Sequence, residues 1–174
     1  MTVLRVLDVE TTGLEATDEV IEIGYCDLTT HDEVPWQTQM GDVRSKLFGC
    51  ARPCPPEVVA VHHITAADIA GLELCTPRVM ALLAQKGCSV LAAHNAEFEA
   101  KWFTPEVLGP TRLICTLKAA YRVWPDAPGH GNQVLRYWLG LDLSPELAMP
   151  PHRAGPDAYV TALITRSSAA LQKR

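Results

Sequence analysis

Residues 3–28, VLRVLDVETTGLEATDEVIEIGYCDL, decide the fold. Val3–Val9 is aliphatic and β-branched, broken only by Arg5 and Asp8, which predicts a central strand. Thr11-Thr12-Gly13 reads as a turn. Glu19–Leu28 reads as a second strand, and Glu33–Met40 as a third after the short polar link Thr29–Asp32. Three strands so closely linked predict an antiparallel meander.

Inside the first strand, Asp8-Val9-Glu10 places two carboxylates on one face, because strand side chains alternate. Two like charges side by side on a buried strand are costly unless a cation neutralises them. Hard oxygen ligands favour Mg²⁺ or Mn²⁺. Taken alone, an acid-x-acid triplet is common, and a solvated strand end is its ordinary explanation.

Outward from the meander, residues 41–57 read as irregular, broken by Pro53, Pro55 and Pro56. Thr65-Ala66-Ala67-Asp68 has the form of a capped helix start. Thr76–Lys86 predicts a helix with a threonine cap, a proline in the first turn and Gly87 as its stop. Cys88–Ala93 is short and apolar, which suits a buried strand parallel to the first. Asn95 is expected to cap a helix through Phe103. A strand at Arg112–Cys115 follows, with helices to Trp124, over Asn132–Leu139, and from about Pro156 onward. The expected architecture is α/β: a mixed five-stranded sheet, three strands antiparallel and two parallel, flanked by helices. No repeat or linker interrupts it, so residues 1–174 read as a single domain of ordinary size.

Composition narrows the class. Glycine (11) and proline (13) are too few for a disordered or collagen-like chain. Aromatics at 6% argue against a broad stacking platform for single-stranded nucleic acid. No apolar run approaches the roughly 18 residues of a membrane span, and Asp8 and Glu10 interrupt any signal pattern at once. The expectation is a soluble cytoplasmic domain with no membrane partner. The net charge of −5 is unevenly placed: residues 1–35 hold nine acids and only Arg5 as base, so the remainder is net positive. An acidic patch that takes up cations loses its repulsion for phosphate, so the bulk charge does not exclude nucleic acid. Cys50 and Cys54, with His62 and His63, have spacing that matches zinc sites poorly, and a packed loop is the better reading.

Two further groups carry chemistry. His94-Asn95-Ala96-Glu97-Phe98-Glu99 stands at a strand-to-helix junction, and Glu99 can look back towards the strand ends. His152-Arg153-Ala154-Gly155-Pro156-Asp157 stands at the start of the last helix. Each has a plain structural explanation, an acid in a first turn or a cap; their conjunction with Asp8 and Glu10 does not.

D-x-E-T-T-G-L, H-N-A-x-F-acid and H-R-A-x-x-D, in this order, resemble the DEDD 3′–5′ exonucleases of the histidine subclass, which have a ribonuclease H-like fold. RPCPPEVVAVHHIT is similar to that family's proline-rich loop, and the resemblance covers nearly the whole chain. ICTLKAAYRVWP and HRAGPDAYVTALI are most similar to its bacterial exodeoxyribonucleases. The resemblance implies two Mg²⁺ or Mn²⁺ ions held by Asp8, Glu10, Glu99 and Asp157, with His152 as general base. It places Thr11, Thr12, Gly13, Leu14 and Arg153 against the substrate, Leu14 as an apolar wedge. Arg112, Lys118, Arg122 and Arg136 are further phosphate candidates, and His94 reads as a structural hydrogen-bonding group. The family has aspartate where this chain has Glu99. The implied partner is DNA, at single-stranded or duplex 3′ ends. The alternatives are an exoribonuclease of the same fold that trims RNA, or a catalytically weak nucleic-acid-binding module.

Overall fold

The computed structural model describes residues 1–31 and 34–171. Five strands form one sheet: β1 (Thr2–Thr11), β2 (Val20–His31), β3 (Val34–Leu47), β4 (Val90–Ala93) and β5 (Arg112–Cys115). Their spatial order is β3-β2-β1-β4-β5. β1 pairs antiparallel with β2 and β2 with β3, whereas β1–β4 and β4–β5 are parallel. The expected mixed sheet is therefore present, and β1 lies where the two pairing modes meet.

Helices α1 (Pro56–His62), α2 (Ala66–Ile69) and α3 (Pro77–Gln85) link β3 to β4. A 3₁₀ turn at Glu99–Lys101 and α4 (Pro105–Leu108) link β4 to β5. α5 (Thr116–Val123), α6 (Asn132–Trp138), α7 (Pro145–Ala148) and α8 (Ala154–Leu171) follow. None is long and apolar enough to cross a membrane.

Strand alternation divides the core into layers. Leu7 and Val9 pack with Met80 and Ala84 of α3 on one face. Val6 packs with Cys26, Ala92 and Ala162 of α8 on the other. α8 is itself covered by α5–α7 through Ala120, Trp124, Leu135 and Ala148, so its residues 158–164 are buried almost all round. Alanines at 158 and 162 let it lie close on the sheet.

Several boundaries differ from expectation. β2 and β3 remain paired through Thr29↔Gln39 and Thr30↔Thr38, where a connection is expected, and Asp32 and Glu33 lie outside the described residues. β3 continues to Leu47 through a segment expected to be irregular. Its outer half carries Arg44 and Lys46, the charges with which edge strands discourage further pairing, and these obscure the strand pattern. Asn95 has φ +79°, in the left-handed region, whereas an N-cap is extended. The chain therefore turns there and makes one 3₁₀ turn in place of the expected helix to Phe103. α8 starts at Ala154, which leaves Pro156 inside its first turn. The unforeseen helices α1, α4 and α7 each open on a proline, and Pro56 of α1 is one of the prolines read as a breaker. Cys50 and Cys54 pack against Ile21, Ile64 and Ile69 as a loop.

Candidate active site

The register of β1 on β2 sets the site. Asp8 faces Gly24 and Glu10 faces Glu22 across the ladder. A Cβ on Gly24 would lie 2.1 Å from the carbonyl carbon of Ala154 and 2.2 Å from the nitrogen of Gly155. Only glycine lets the start of α8 rest on β2 at this point. Asp157, in the first turn of α8, is thereby brought to the strand pair. One carboxylate oxygen from each of Asp8, Glu10 and Asp157 lies within 4.8 Å of the others, a grouping that could hold a metal ion. Among the described residues no other His, Cys, Asp or Glu cluster meets that condition.

Side chains that the sequence reading passed over hold this corner. Glu22 is 2% exposed. Its Oε2 accepts from Arg153 Nε at 2.8 Å and from the Ala154 backbone N–H at 3.1 Å. Its Oε1 accepts from Arg153 Nη2 at 3.1 Å and from Ser45 Oγ at 2.5 Å. Glu22 thus clamps the start of α8 to β2, and Arg153, expected at the substrate, is its partner. A charged residue inside an otherwise apolar strand was the signal for it. Asp157 Oδ1 accepts from Gln133 Nε2 at 3.1 Å, and Oδ2 from the His152 backbone N–H at 2.9 Å. Asn132 Nδ2 donates to the Asp157 carbonyl at 3.1 Å. No sequence pattern marked Gln133 or Asn132.

The other expected residues border the same corner. The His152 side chain is exposed, and its backbone, at φ +58°, turns the chain into α8 where its N–H meets Asp157. Glu99 is 2% exposed, and its Oε2 has no hydrogen-bond partner. It stands outside the three-carboxylate grouping, yet its charge acts on Asp8 and Glu10. Thr11 Oγ1 donates to the Gly13 carbonyl at 2.6 Å, and Thr12 Oγ1 accepts from the Glu19 N–H at 2.9 Å. Both hydroxyls therefore shape their own loop. That loop is tied down by Trp102 Nε1 donating to the Asp18 carbonyl at 2.7 Å and by Lys101 Nζ donating to the Leu14 carbonyl. Gly13 leaves room for Asp18, whose Oδ2 would be 2.4 Å from a Cβ. At its tip Leu14 is 70% exposed. His94 is structural: its ring nitrogens bind Thr116 Oγ1 at 3.0 Å and the His130 carbonyl at 2.7 Å.

Electrostatics mark the cluster as short of positive charge. Burial, with the neighbouring carboxylates, pushes Asp8 well above the usual carboxylate range. Burial raises Glu10 to about 8, with Asp157 and Glu22 adding to the shift, and burial raises Glu99 to about 8. Asp157 is raised by burial, against the lowering effect of the His152 N–H bond. An all-oxygen donor set, crowded enough to retain protons, beside a buried carboxylate oxygen without a partner, fits a divalent cation site of the hard-ion class.

Comparison with known proteins agrees. Residues 6–165 match the sequence model of the RNase_T family, described as exonuclease. Exodeoxyribonuclease 10 of Escherichia coli K12 is 31% identical over 164 residues, 92% of this chain and 66% of that protein. The chain thus spans about two thirds of that curated relative's length. Exonuclease X, solved in complex with 5′ overhanging duplex DNA, is similar with a TM-score of 0.73 at 28% identity, over 98% of this chain and 93% of that one. E. coli Exonuclease I in complex with a dT13 oligonucleotide shares the fold, with a TM-score of 0.74 at 17% identity, over 100% of this chain and 42% of that one.

Proposed function

This chain belongs to the exonuclease family, and on that footing we propose that it is a metal-dependent 3′–5′ exodeoxyribonuclease of the cytoplasm, releasing nucleoside 5′-monophosphates from DNA 3′ ends. Residues 1–174 act in this reading as one exonuclease domain. The observation that carries it is the convergence of Asp8, Glu10 and Asp157 within 4.8 Å beside the buried Glu99.

Asp8, Glu10 and Asp157 would hold one cation, and Asp8 with Glu99 would hold a second, both Mg²⁺ or Mn²⁺. When bound, such ions polarise water and stabilise the leaving oxygen. The His152 imidazole, exposed beside Asp157, takes the proton of the attacking water. Attack at phosphorus breaks the P–O3′ bond, which leaves a 3′-hydroxyl on the shortened strand and the phosphate on the released nucleotide. Leu14, presented on its tethered loop, wedges against the terminal base, while the Thr11, Thr12 and Gly13 backbone faces the terminal sugar. Arg153 serves Glu22 first, and its remaining edge, with the side chain 30% exposed, is what it offers a phosphate.

The test is degradation of 5′-labelled single-stranded DNA, duplex DNA and RNA in Mg²⁺, Mn²⁺ or EDTA. The reading expects a ladder of 3′-shortened DNA products in either metal and none in EDTA. Products shortened from the 5′ end, or RNA consumed in preference to DNA, would contradict it.

A further inference from the structure

Both oxygens of Asp157 are held, and both holds lead to Arg136. On one side Gln133 Nε2 donates to Oδ1 at 3.1 Å, and Gln133 Oε1 accepts from Arg136 Nη1 at 3.2 Å. On the other, the His152 N–H donates to Oδ2 at 2.9 Å, and the segment leading to His152 is gripped by Arg136 Nη1, 3.4 Å from the Ala148 carbonyl and 3.5 Å from Met149 Sδ. The guanidinium rests 5.1 Å from the Tyr137 ring centre.

A glutamine amide has nearly the same shape either way round, so its own packing does not choose which end meets a carboxylate. Arg136 chooses. Guanidinium only donates, so Gln133 must present its oxygen to Arg136, which leaves its NH₂ for Asp157. The reversed amide would set oxygen against carboxylate at one end and NH₂ against guanidinium at the other.

We propose that Arg136 and Gln133 form a positioning pair that fixes Asp157 as a metal ligand and couples it to the loop presenting His152. The pair acts through Asp157 and touches no reacting atom. Hydrogen-bonding partners of metal ligands set affinity as well as orientation, and their loss typically weakens binding about 10–100-fold. The proposal rests on the metal reading above, and it takes Arg136 away from the phosphate contacts for which it was a candidate.

The experiment is calorimetric titration of the protein with Mn²⁺ alone, with kcat and KM on a labelled oligonucleotide measured alongside. Gln133→Met should bind Mn²⁺ about 10–100-fold more weakly than wild type. Arg136→Met should shift it in the same direction, Arg136→Lys should recover part of the loss, and KM for DNA should stay within about twofold. The combined loss in the double variant should be smaller than the sum of the two single losses, because Gln133 carries one of the two routes by which Arg136 reaches Asp157. Unchanged Mn²⁺ affinity in Arg136→Met, with a raised KM that steepens in salt, would make Arg136 a phosphate contact and overturn the pair. Equal Mn²⁺ binding by wild type and Gln133→Met would overturn it too. A wild type that binds no Mn²⁺ would instead remove the metal reading on which the pair rests.

Discussion

Gly24 is the cross-strand partner of Asp8 and also the point where β2 meets the backbone of Ala154 and Gly155. One absent side chain thus decides whether the sheet carboxylates and Asp157 share a site. In Gly24→Ala the new methyl would meet backbone atoms 2.1–2.2 Å away, which cannot move as a side-chain tip would. Overpacking of this kind costs roughly 1–3 kcal/mol. At about 2–4 °C per kcal/mol for a domain of this size, melting should fall by about 2–12 °C. Exonuclease activity should be lost with it, since Asp157 is carried on the element that is displaced. Differential scanning calorimetry and the labelled-DNA assay check both; an alanine variant that melts and works as wild type would contradict the close approach.

Glu22→Gln should break the clamp without changing its shape. Truncating one partner of a fully buried pair costs about 3–5 kcal/mol, but Arg153 retains 30% exposure, so roughly 2–3 kcal/mol is expected. The amide can still accept from the Ala154 N–H, so the fold should survive with a looser start to α8. Denaturant unfolding should show a lower midpoint with an unchanged m-value. Activity should fall through weaker metal binding, and saturating Mn²⁺ should restore a part of it.

Much of this was legible in the chain. Val3–Val9 and Cys88–Ala93 announce buried strands because their apolar runs have no helical period, and the Thr76 cap with Pro77 fixes the start of α3. Asp8 and Glu10 could be placed on one face because alternation is a local rule. What was hidden depends on distant partners. Gly41–Leu47 is a strand because Cys26 and Tyr25 pair with it, despite its own charges. Asn95 turns left-handed where a cap was expected, so Glu99 reaches its buried position from a 3₁₀ turn and not from a helix. Glu22 acquires its role only when Arg153, 131 residues away, folds back onto it.

His152→Ala should lower kcat by roughly 10²–10⁴, the range for loss of a general base. Its metal affinity should change little, because Asp157 is held by the backbone N–H at this position and not by the ring. Mn²⁺ calorimetry beside single-turnover kinetics separates the two effects. A variant that loses metal affinity while keeping its metal-saturated rate would assign the ring to the metal and not to the proton.

Glu99 stands where the resemblance to the DEDD exonucleases implies an aspartate, and glutamate adds about 1.5 Å of reach. Its unpartnered Oε2 is the atom a cation or its water would complete. Glu99→Gln keeps the size and removes the charge, so kcat/KM should fall by at least about 10²-fold. Glu99→Asp should equal or exceed wild type in Mg²⁺, with Mn²⁺ narrowing any difference because its geometric demands are looser. Both variants should be compared on one oligonucleotide in each metal. Wild-type activity in Glu99→Gln would leave the chain working with three carboxylates.

The crowded carboxylates also fix how stability follows pH. Glu10 and Glu99 are raised from 4.5 to about 8 in the folded chain, and Asp8 is raised well above its ordinary value. Between roughly pH 4.5 and 8 the folded state therefore holds more protons than the unfolded chain. Stability contributed by these groups is present in full below that window and is lost as pH rises through it. Metal-free protein in EDTA should accordingly melt several degrees lower at pH 8 than at pH 5. Divalent cations compete with those protons, so Mn²⁺ binding should tighten with pH up to about 8 and release protons on binding. Asp8→Asn removes one of the mutually repelling charges. It should raise the metal-free melting temperature at pH 8 and flatten its decline, while abolishing exonuclease activity. Melting curves at half-unit pH steps, with and without Mn²⁺, give the answer. A metal-free melting temperature that climbs from pH 5 to 8 would mean that the carboxylates are already ionised and compensated within the protein.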